Sequence, residues 1–175
     1  MAAHWDAKLK AEAESKLSLL LLDISSLSIT KPAKIWSMAG LNAKEIKKAC
    51  IVNWMQLGVY RTREVLKKMK KIKSNMCTAC TLNAVGSLEH YLLYCPFVEK
   101  IREKFVSQLF FNNPKVYNVL QNEAALIVTI LDPESALLPD NIRHSWDSSA
   151  DIYALSRDYV YNIHNKYEKH YEKLP

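Results

Sequence analysis

Residues 77–95 read CTACTLNAVGSLEHYLLYC, and they set Cys77, Cys80, His90 and Cys95 in the pattern C-x2-C-x9-H-x4-C. Four soft ligands in so short a stretch read as a zinc site. Zinc without redox duty takes four tetrahedral nitrogen and sulfur ligands. A C-x2-C pair lets two thiolates of one tight turn reach the ion, and the His and Cys that follow close the cage. A full cage leaves no open position, so a structural Zn2+ is expected, with Cys77, Cys80 and Cys95 as thiolates and His90 as neutral imidazole. Glu89 and Tyr94 are candidates to support the ligands from outside. A retroviral knuckle has a much shorter middle, a classical finger has two histidines, and a nucleobase deaminase needs H-x-E ahead of P-C-x-x-C. A thioredoxin-like C-x-x-C belongs at a helix start after a strand, and no βαβ pattern surrounds this one.

Directly upstream, Arg61, Arg63, Lys67, Lys68, Lys70, Lys71 and Lys73 stand against a single acid, Glu64. Thr62 suits an N-cap, and Val65, Leu66, Met69 and Ile72 recur at helical spacing, so the stretch is expected as one basic helix with an apolar stripe. The seven cations are candidate phosphate contacts, and Tyr60 is a candidate to stack on a base. The plainer alternative is a solvated face that aids solubility. A nuclear-localisation reading of Lys67 to Lys73 is unspecific. The whole chain carries 24 Lys and Arg against 18 Asp and Glu, a formal +6 that favours an acidic partner, most simply the phosphate backbone of RNA or DNA.

Only three glycines and several stretches of 3.6 period make the chain all-α. The expected architecture is a helical domain with an embedded CCHC zinc knuckle and a long C-terminal amphipathic helix. The first helix runs from His4 to about Leu20, and Pro32 marks a loop leading to Ile35 and Trp36. Asn42 caps a helix that ends near Gly58, with Ile46, Ala49, Cys50, Met55 and Leu57 on one side. Leu88 to Tyr94 forms a short helix carrying His90, and Pro96 opens another with Phe97, Ile101, Phe105 and Leu109 at helical spacing. Asn113-Pro114 starts a further helix, Asn122 to Leu131 a buried one, and Asp132-Pro133 breaks it. After a polar connector with Pro139 and Trp146, a final helix from Ser149 to Lys173 repeats Ile152, Leu155, Tyr159, Ile163, Tyr167 and His170 every three or four positions. Its tyrosines, Tyr153, Tyr159, Tyr161, Tyr167 and Tyr171, read as packing groups with wet hydroxyls. Segments 1–60, 61–112 and 113–175 are expected to share one core.

Cys50 lies apart from the other three cysteines, which disfavours a disulfide framework. With no apolar leader in Met1 to Lys10, a reducing compartment is expected, nuclear or cytoplasmic and not secreted. Leu17 to Leu22 is too short for the roughly 20 residues of a membrane span, so no membrane role is expected. No Gly-rich phosphate loop, strand-turn-helix nucleophile or paired aspartates appear; Asp132, Asp140, Asp147 and Asp151 read as turns and caps, and no enzyme is expected.

Over most of its length the chain resembles the region downstream of the reverse transcriptase in animal non-LTR (LINE-type) retrotransposon polyproteins, including the reverse-transcriptase zinc-binding domain. The likeness rests on Cys77, Cys80, Glu89, His90, Cys95, Pro96 and Arg102. Upstream it includes Ser18-Leu19, Ile35-Trp36-Ser37, Lys48-Ala49 and Leu57-Gly58-Val59-Tyr60. Downstream it includes Leu131 to Ser135, Leu138-Pro139, Arg157-Asp158-Tyr159 and the Tyr161 to His164 step. Thr81 stands where the family often has glycine, and the chain carries neither polymerase nor endonuclease module. The resemblance implies a part that helps a retroelement polymerase hold template RNA or target DNA in target-primed reverse transcription, with a reverse-transcriptase module as a further partner. A standalone chain would be a fragment, a truncated copy or a host-recruited derivative. The competing expectation is a scaffold whose final helix docks a protein through Ile152, Leu155 and Ile163.

Overall fold

Short polar side chains start the helices of this chain, and glycine or a left-handed residue turns it between them. The computed structural model describes residues 2–15, 21–26, 34–112, 114, 121–135, 137–138, 140–143 and 149–172. Its helices are α1 (Ala2–Glu14), α2 (Lys34–Ala39), α3 (Ala43–Gln56), α4 (Arg63–Lys68), α5 (Glu99–Asn112), α6 (Glu123–Leu131), α7 (Asp140–Arg143) and α8 (Ser149–Tyr171). A π-helical turn spans His90–Tyr94, and 3-10 turns span Ile24–Ser26 and Pro96–Val98. The described residues hold no strand, only an isolated antiparallel bridge between Met76 and Val85, so the fold is all-α. None of the described helices is long and apolar enough to cross a membrane.

The expected caps form. Asn42 accepts from Lys44 N at 2.9 Å and Glu45 N at 3.2 Å, Thr62 from Val65 N at 3.2 Å, and Asn122 from Ala125 N at 3.0 Å. Gly58, at φ 64, turns the chain back after α3, so that Val59 N and Tyr60 N both donate to Trp54 O at 3.0 Å. The first helix is described over Ala2–Glu14, and its expected continuation through residues 16–20 lies outside the described residues. Expectations for Ser18-Leu19, Pro32, Asn113, Pro139, Trp146, Asp147 and Lys173 lie outside the described residues.

Helix α8 is the spine against which α3, α5, α6 and the π-helical turn pack. Its Ile152, Tyr159, Val160, Ile163 and Tyr167 join one core with Ile51, Val52 and Met55 of α3, Phe105 and Leu109 of α5, and Ile127, Ile130 and Leu131 of α6. Each such side chain contributes roughly 1.5–3 kcal/mol by leaving water. The core draws on 1–60, 61–112 and 113–175 alike. Two expectations change here. Helix α3 faces the core with Ala49, Ile51, Val52 and Met55, while Ile46 is 37% exposed and Leu57 is the C-cap. Ile152 and Ile163 are 1% and 0% exposed and Leu155 packs on the core, so the face offered for docking a partner is consumed within the chain.

Polar groups tie the same helices together. Lys48 of α3 is buried and bonds Asp158 of α8 and, at 2.6 Å, Glu45, whose other oxygen lies 3.5 Å from Arg157 Nη2. Burial opposes the Lys48 charge, but its bonds to the two carboxylates outweigh that and hold its pKa above the usual lysine value. The tyrosine hydroxyls are not generally wet: Tyr159 donates to Leu92 O and Tyr153 to Asp132 Oδ1 at 2.6 Å. Ring stacking orders them further, with Phe105 on Tyr159 at 4.2 Å.

Burial pushes Tyr60, Tyr153 and Tyr159 above their ordinary value of 10.0, with Glu168 adding to the first and Asp132 to the second. A raised pKa means that the native state holds the proton more tightly than the unfolded chain. The resulting stability is fully present below the unfolded value and is lost as pH rises through and beyond it; Lys48 acts with the same sign. Urea unfolding from pH 8 to 11 should therefore show a free energy that declines steeply above about pH 10, each tyrosine adding up to about 1.4 kcal/mol per pH unit. Tyr159→Phe should flatten that decline by one such increment, and a level profile through pH 11 would contradict the assignment.

Candidate metal centre

Cys77 N donates to Ala84 O and Gly86 N to Asn75 O, both at 2.8 Å, and with the Met76–Val85 bridge they pinch residues 77–84 into a loop. The loop brings Cys77 and Cys80 to one side. Its left-handed residue is Asn83, at φ 50, and not Thr81, so the lack of glycine at 81 leaves the turn intact. Ser87 then starts the second half of the site: its hydroxyl accepts from His90 N at 3.2 Å and donates to Glu89 Oε2 at 3.1 Å. Cys95 N reaches back to His90 O at 2.8 Å, closing the wide i→i+5 turn that sets Cys95 near His90. Arg102 of α5 donates to Cys95 O at 3.3 Å and fixes the exit toward Pro96.

The structure brings all four predicted ligands together. Their ligand atoms lie within 4.8 Å of one another, with Cys77 Sγ 3.9 Å from Cys95 Sγ and Cys80 Sγ 3.5 Å from His90 Nε2. A disulfide needs about 2.05 Å, so the sulfurs are free and arranged around a point, as a metal ion requires. Cys77, His90 and Cys95 are buried and Cys80 is half-buried. Sequence alone did not choose between the two ring nitrogens; the fold presents Nε2.

Cys77 and Cys95 face each other across the cluster. The hydrogen bond between them favours Cys95 as thiolate and pushes its pKa down; the same bond, together with burial, pushes Cys77 up. A cation in the cluster would replace the proton of that bond and satisfy both sulfurs. A second observation fits a metal. The Tyr167 hydroxyl is buried beside Cys95, lacks a hydrogen-bond partner of normal geometry among the described residues, and is held protonated by burial and then by that sulfur. A buried hydroxyl beside such a ligand could serve as its outer support. Neither expected supporter fills this place: Glu89 takes the Ser87 hydroxyl, and Tyr94, 44% exposed, turns to Glu123. Tyr167 also stacks on Tyr91 at 4.0 Å, joining the metal cluster to α8. Sequence reading saw Tyr167 only as one position in an amphipathic repeat.

Arg63, through its guanidinium, and Glu64, through its backbone N–H, anchor α4 to the metal loop. Arg63 Nη2 donates to Ser74 O at 3.1 Å and Glu64 N to Gly86 O at 3.2 Å. The basic helix expected to run from the Thr62 cap through Lys73 is corrected to six residues, Arg63–Lys68. Lys70 takes φ 58 and its N–H bonds Lys67 O, while Lys71 N bonds Leu66 O, both at 2.9 Å. This is a Schellman end, with lysine where glycine is usual. Lys70, Lys71 and Lys73 therefore sit on an exposed turn, and Met69, 59% exposed, does not extend the apolar stripe. Lys68 pairs with Glu64 at 2.8 Å; Lys67, reaching Asn75 at 3.4 Å, and Arg61 are exposed. Tyr60 is corrected as a stacking platform. It is 6% exposed, with its hydroxyl 3.2 Å from His164 Nδ1 and its ring packed edge-on to that imidazole.

No protein family, curated protein or solved structure matches this chain.

Two glycine substitutions test this geometry in opposite directions. A Cβ on Gly86 would lie 3.1 Å from Arg63 Cβ and 3.2 Å from the Tyr91 ring, so Gly86→Ala should destabilise by about 1–3 kcal/mol in chemical denaturation. Lys70→Gly removes the penalty of a left-handed lysine and should raise stability by up to about 1 kcal/mol. A destabilised Lys70→Gly protein would refute the Schellman ending.

Proposed function

We propose that this chain is a nonenzymatic, zinc-stabilised nucleic-acid-binding domain derived from a non-LTR retroelement. Its role would be RNA or DNA handling in target-primed reverse transcription, or in a host-recruited derivative of that process. Zinc is favoured by donor chemistry, because three thiolates and an imidazole suit a borderline-soft ion and not calcium or magnesium. Spacing supports it too. Zn–S of about 2.3 Å and Zn–N of about 2.0–2.1 Å imply tetrahedral edges of about 3.8 Å between sulfurs and about 3.6 Å from sulfur to nitrogen. The corresponding separations here are 3.9 and 3.5 Å. Cys77, Cys80, Cys95 and His90 Nε2 would hold the ion in a structural CCHC knuckle, where it supplies folding free energy on the order of 10 kcal/mol.

The observation that carries the nucleic-acid reading is the lysine turn. Lys67, Lys70, Lys71 and Lys73 are exposed and project from a turn that α4 fixes to the metal loop, with no ion pair among the described residues. Lysines held together on a rigid support concentrate positive potential and bind phosphates without reading bases. The resemblance to retroelement zinc-binding regions supports the same partner, with a reverse-transcriptase module beside it. A second reading, a protein-interaction module, is favoured by Phe110 and Phe111, 47% and 85% exposed at the end of α5.

Metal analysis of the purified protein should find one zinc per chain, lost together with cooperative unfolding in Cys77→Ser. RNA affinity of the zinc-loaded protein should fall steeply with salt. Charge reversal at Lys67, Lys70, Lys71 and Lys73 should flatten the log–log slope by about 0.7 for each single-strand phosphate that is no longer neutralised. Salt-insensitive or undetectable binding would sink the nucleic-acid reading. Partner capture that survives the reversal but fails in Phe110→Ser/Phe111→Ser would favour the second reading.

A further inference from the structure

With Tyr60 buried, the ring that the end of α3 turns outward is Trp54, 47% exposed. The Gly58 turn folds the next residues back onto the Trp54 carbonyl, and Arg61 follows them into the lining of the same cleft. Trp54, Arg61 and Lys47 line an open cleft of about 410 Å3, completed by His164 and Glu168 of α8. That volume suits a ligand of one residue's size, within the roughly 300–1,000 Å3 of small-molecule sites. Arg61 and Lys47 are exposed and form no ion pair among the described residues, and Lys47 lies over the Tyr161 ring at 5.7 Å. Tyr60 fixes His164 through Nδ1, so its role here is to position the imidazole.

An exposed indole that shares a cleft with two cations matches a planar ring joined to anionic groups. We propose that this cleft binds one unpaired nucleotide of a single-stranded nucleic acid, its base stacked on Trp54 and its phosphates met by Lys47 and Arg61. The proposal rests on the nucleic-acid reading above and adds to it a preference for single strands. A duplex keeps its bases stacked on one another and cannot lay one on the indole, whereas every unpaired base offers a π-face. His164 and Glu168 face the base edge, where a ring nitrogen and a carboxylate serve as polar contacts. The lysine turn at Lys67 to Lys73 would hold neighbouring phosphates of the same strand.

The test compares a labelled short single-stranded RNA with a duplex of equal length, by fluorescence anisotropy on the zinc-loaded full chain. Trp54→Ala should weaken single-strand binding by roughly 5–150-fold and leave duplex affinity within about twofold, because stacking acts only on unpaired bases. Trp54→Phe should recover most of the loss, and K47E/R61E should weaken the single strand as well. Should Trp54→Ala lower the melting temperature, Trp54→Leu keeps the apolar bulk without an aromatic face and replaces it. Unchanged single-strand affinity in the folded variant, or equal losses on both probes, would overturn the cleft while leaving the nucleic-acid reading intact. Failure of the parent protein to bind either probe would overturn both.

Discussion

The convergence of Cys77, Cys80, His90 and Cys95 is the constraint on which the middle of this protein depends. Residues 77–84 have a single bridge and two flanking hydrogen bonds to define them, far less than a hairpin needs to stand alone in water. The ligands close what the backbone leaves open. They also join the loop to the interior, since Cys95 leads through Pro96 into α5 and lies beside Tyr167 of α8. Two of the sulfurs are buried and face each other, and the third faces an imidazole. Such an arrangement gains from a metal ion at every atom.

What this clamp holds in place matters more for function than the clamp itself. Helix α4 is only six residues long, below the length at which a helix is stable by propensity. Its order comes from Thr62 at one end, the Schellman turn at the other, and the contacts of Arg63 and Glu64 with Ser74 and Gly86. The exposed lysines of the following turn are carried by this short, externally braced element.

The convergence of the four side chains that could hold a metal ion was legible in the sequence, because metal coordination restricts residue type and spacing so tightly that chance matches are rare. The caps at Asn42 and Thr62 were legible for a similar reason: each is a local hydrogen bond between residues two or three apart. The errors share another cause. The basic helix was extended through Lys73 because lysine carries good helix propensity, and nothing local announces that Lys70 will take a left-handed conformation. Tyr60 looked like a free aromatic because its burial depends on His164, far along the chain, and the support of Cys95 by Tyr167 is hidden for the same reason. Periodicity identified the final helix and its apolar positions, yet could not say that the occupant of that face is the protein's own core.

Phosphate attraction by a lysine turn is strong but indifferent to what it holds, since duplex and single strand present the same charged groups. Discrimination between them requires a surface that only an unpaired base can satisfy. Burial of Tyr60 leaves such a surface to its neighbour: its hydroxyl is spent on His164, its backbone on the Trp54 carbonyl, and the exposed indole shares a cleft with Lys47 and Arg61. The residue that first looked like the stacker is thus a strut for the ring beside it. On the proposed reading the two surfaces divide the work, with the lysine turn setting affinity and its salt dependence and the tryptophan cleft setting the form of nucleic acid accepted.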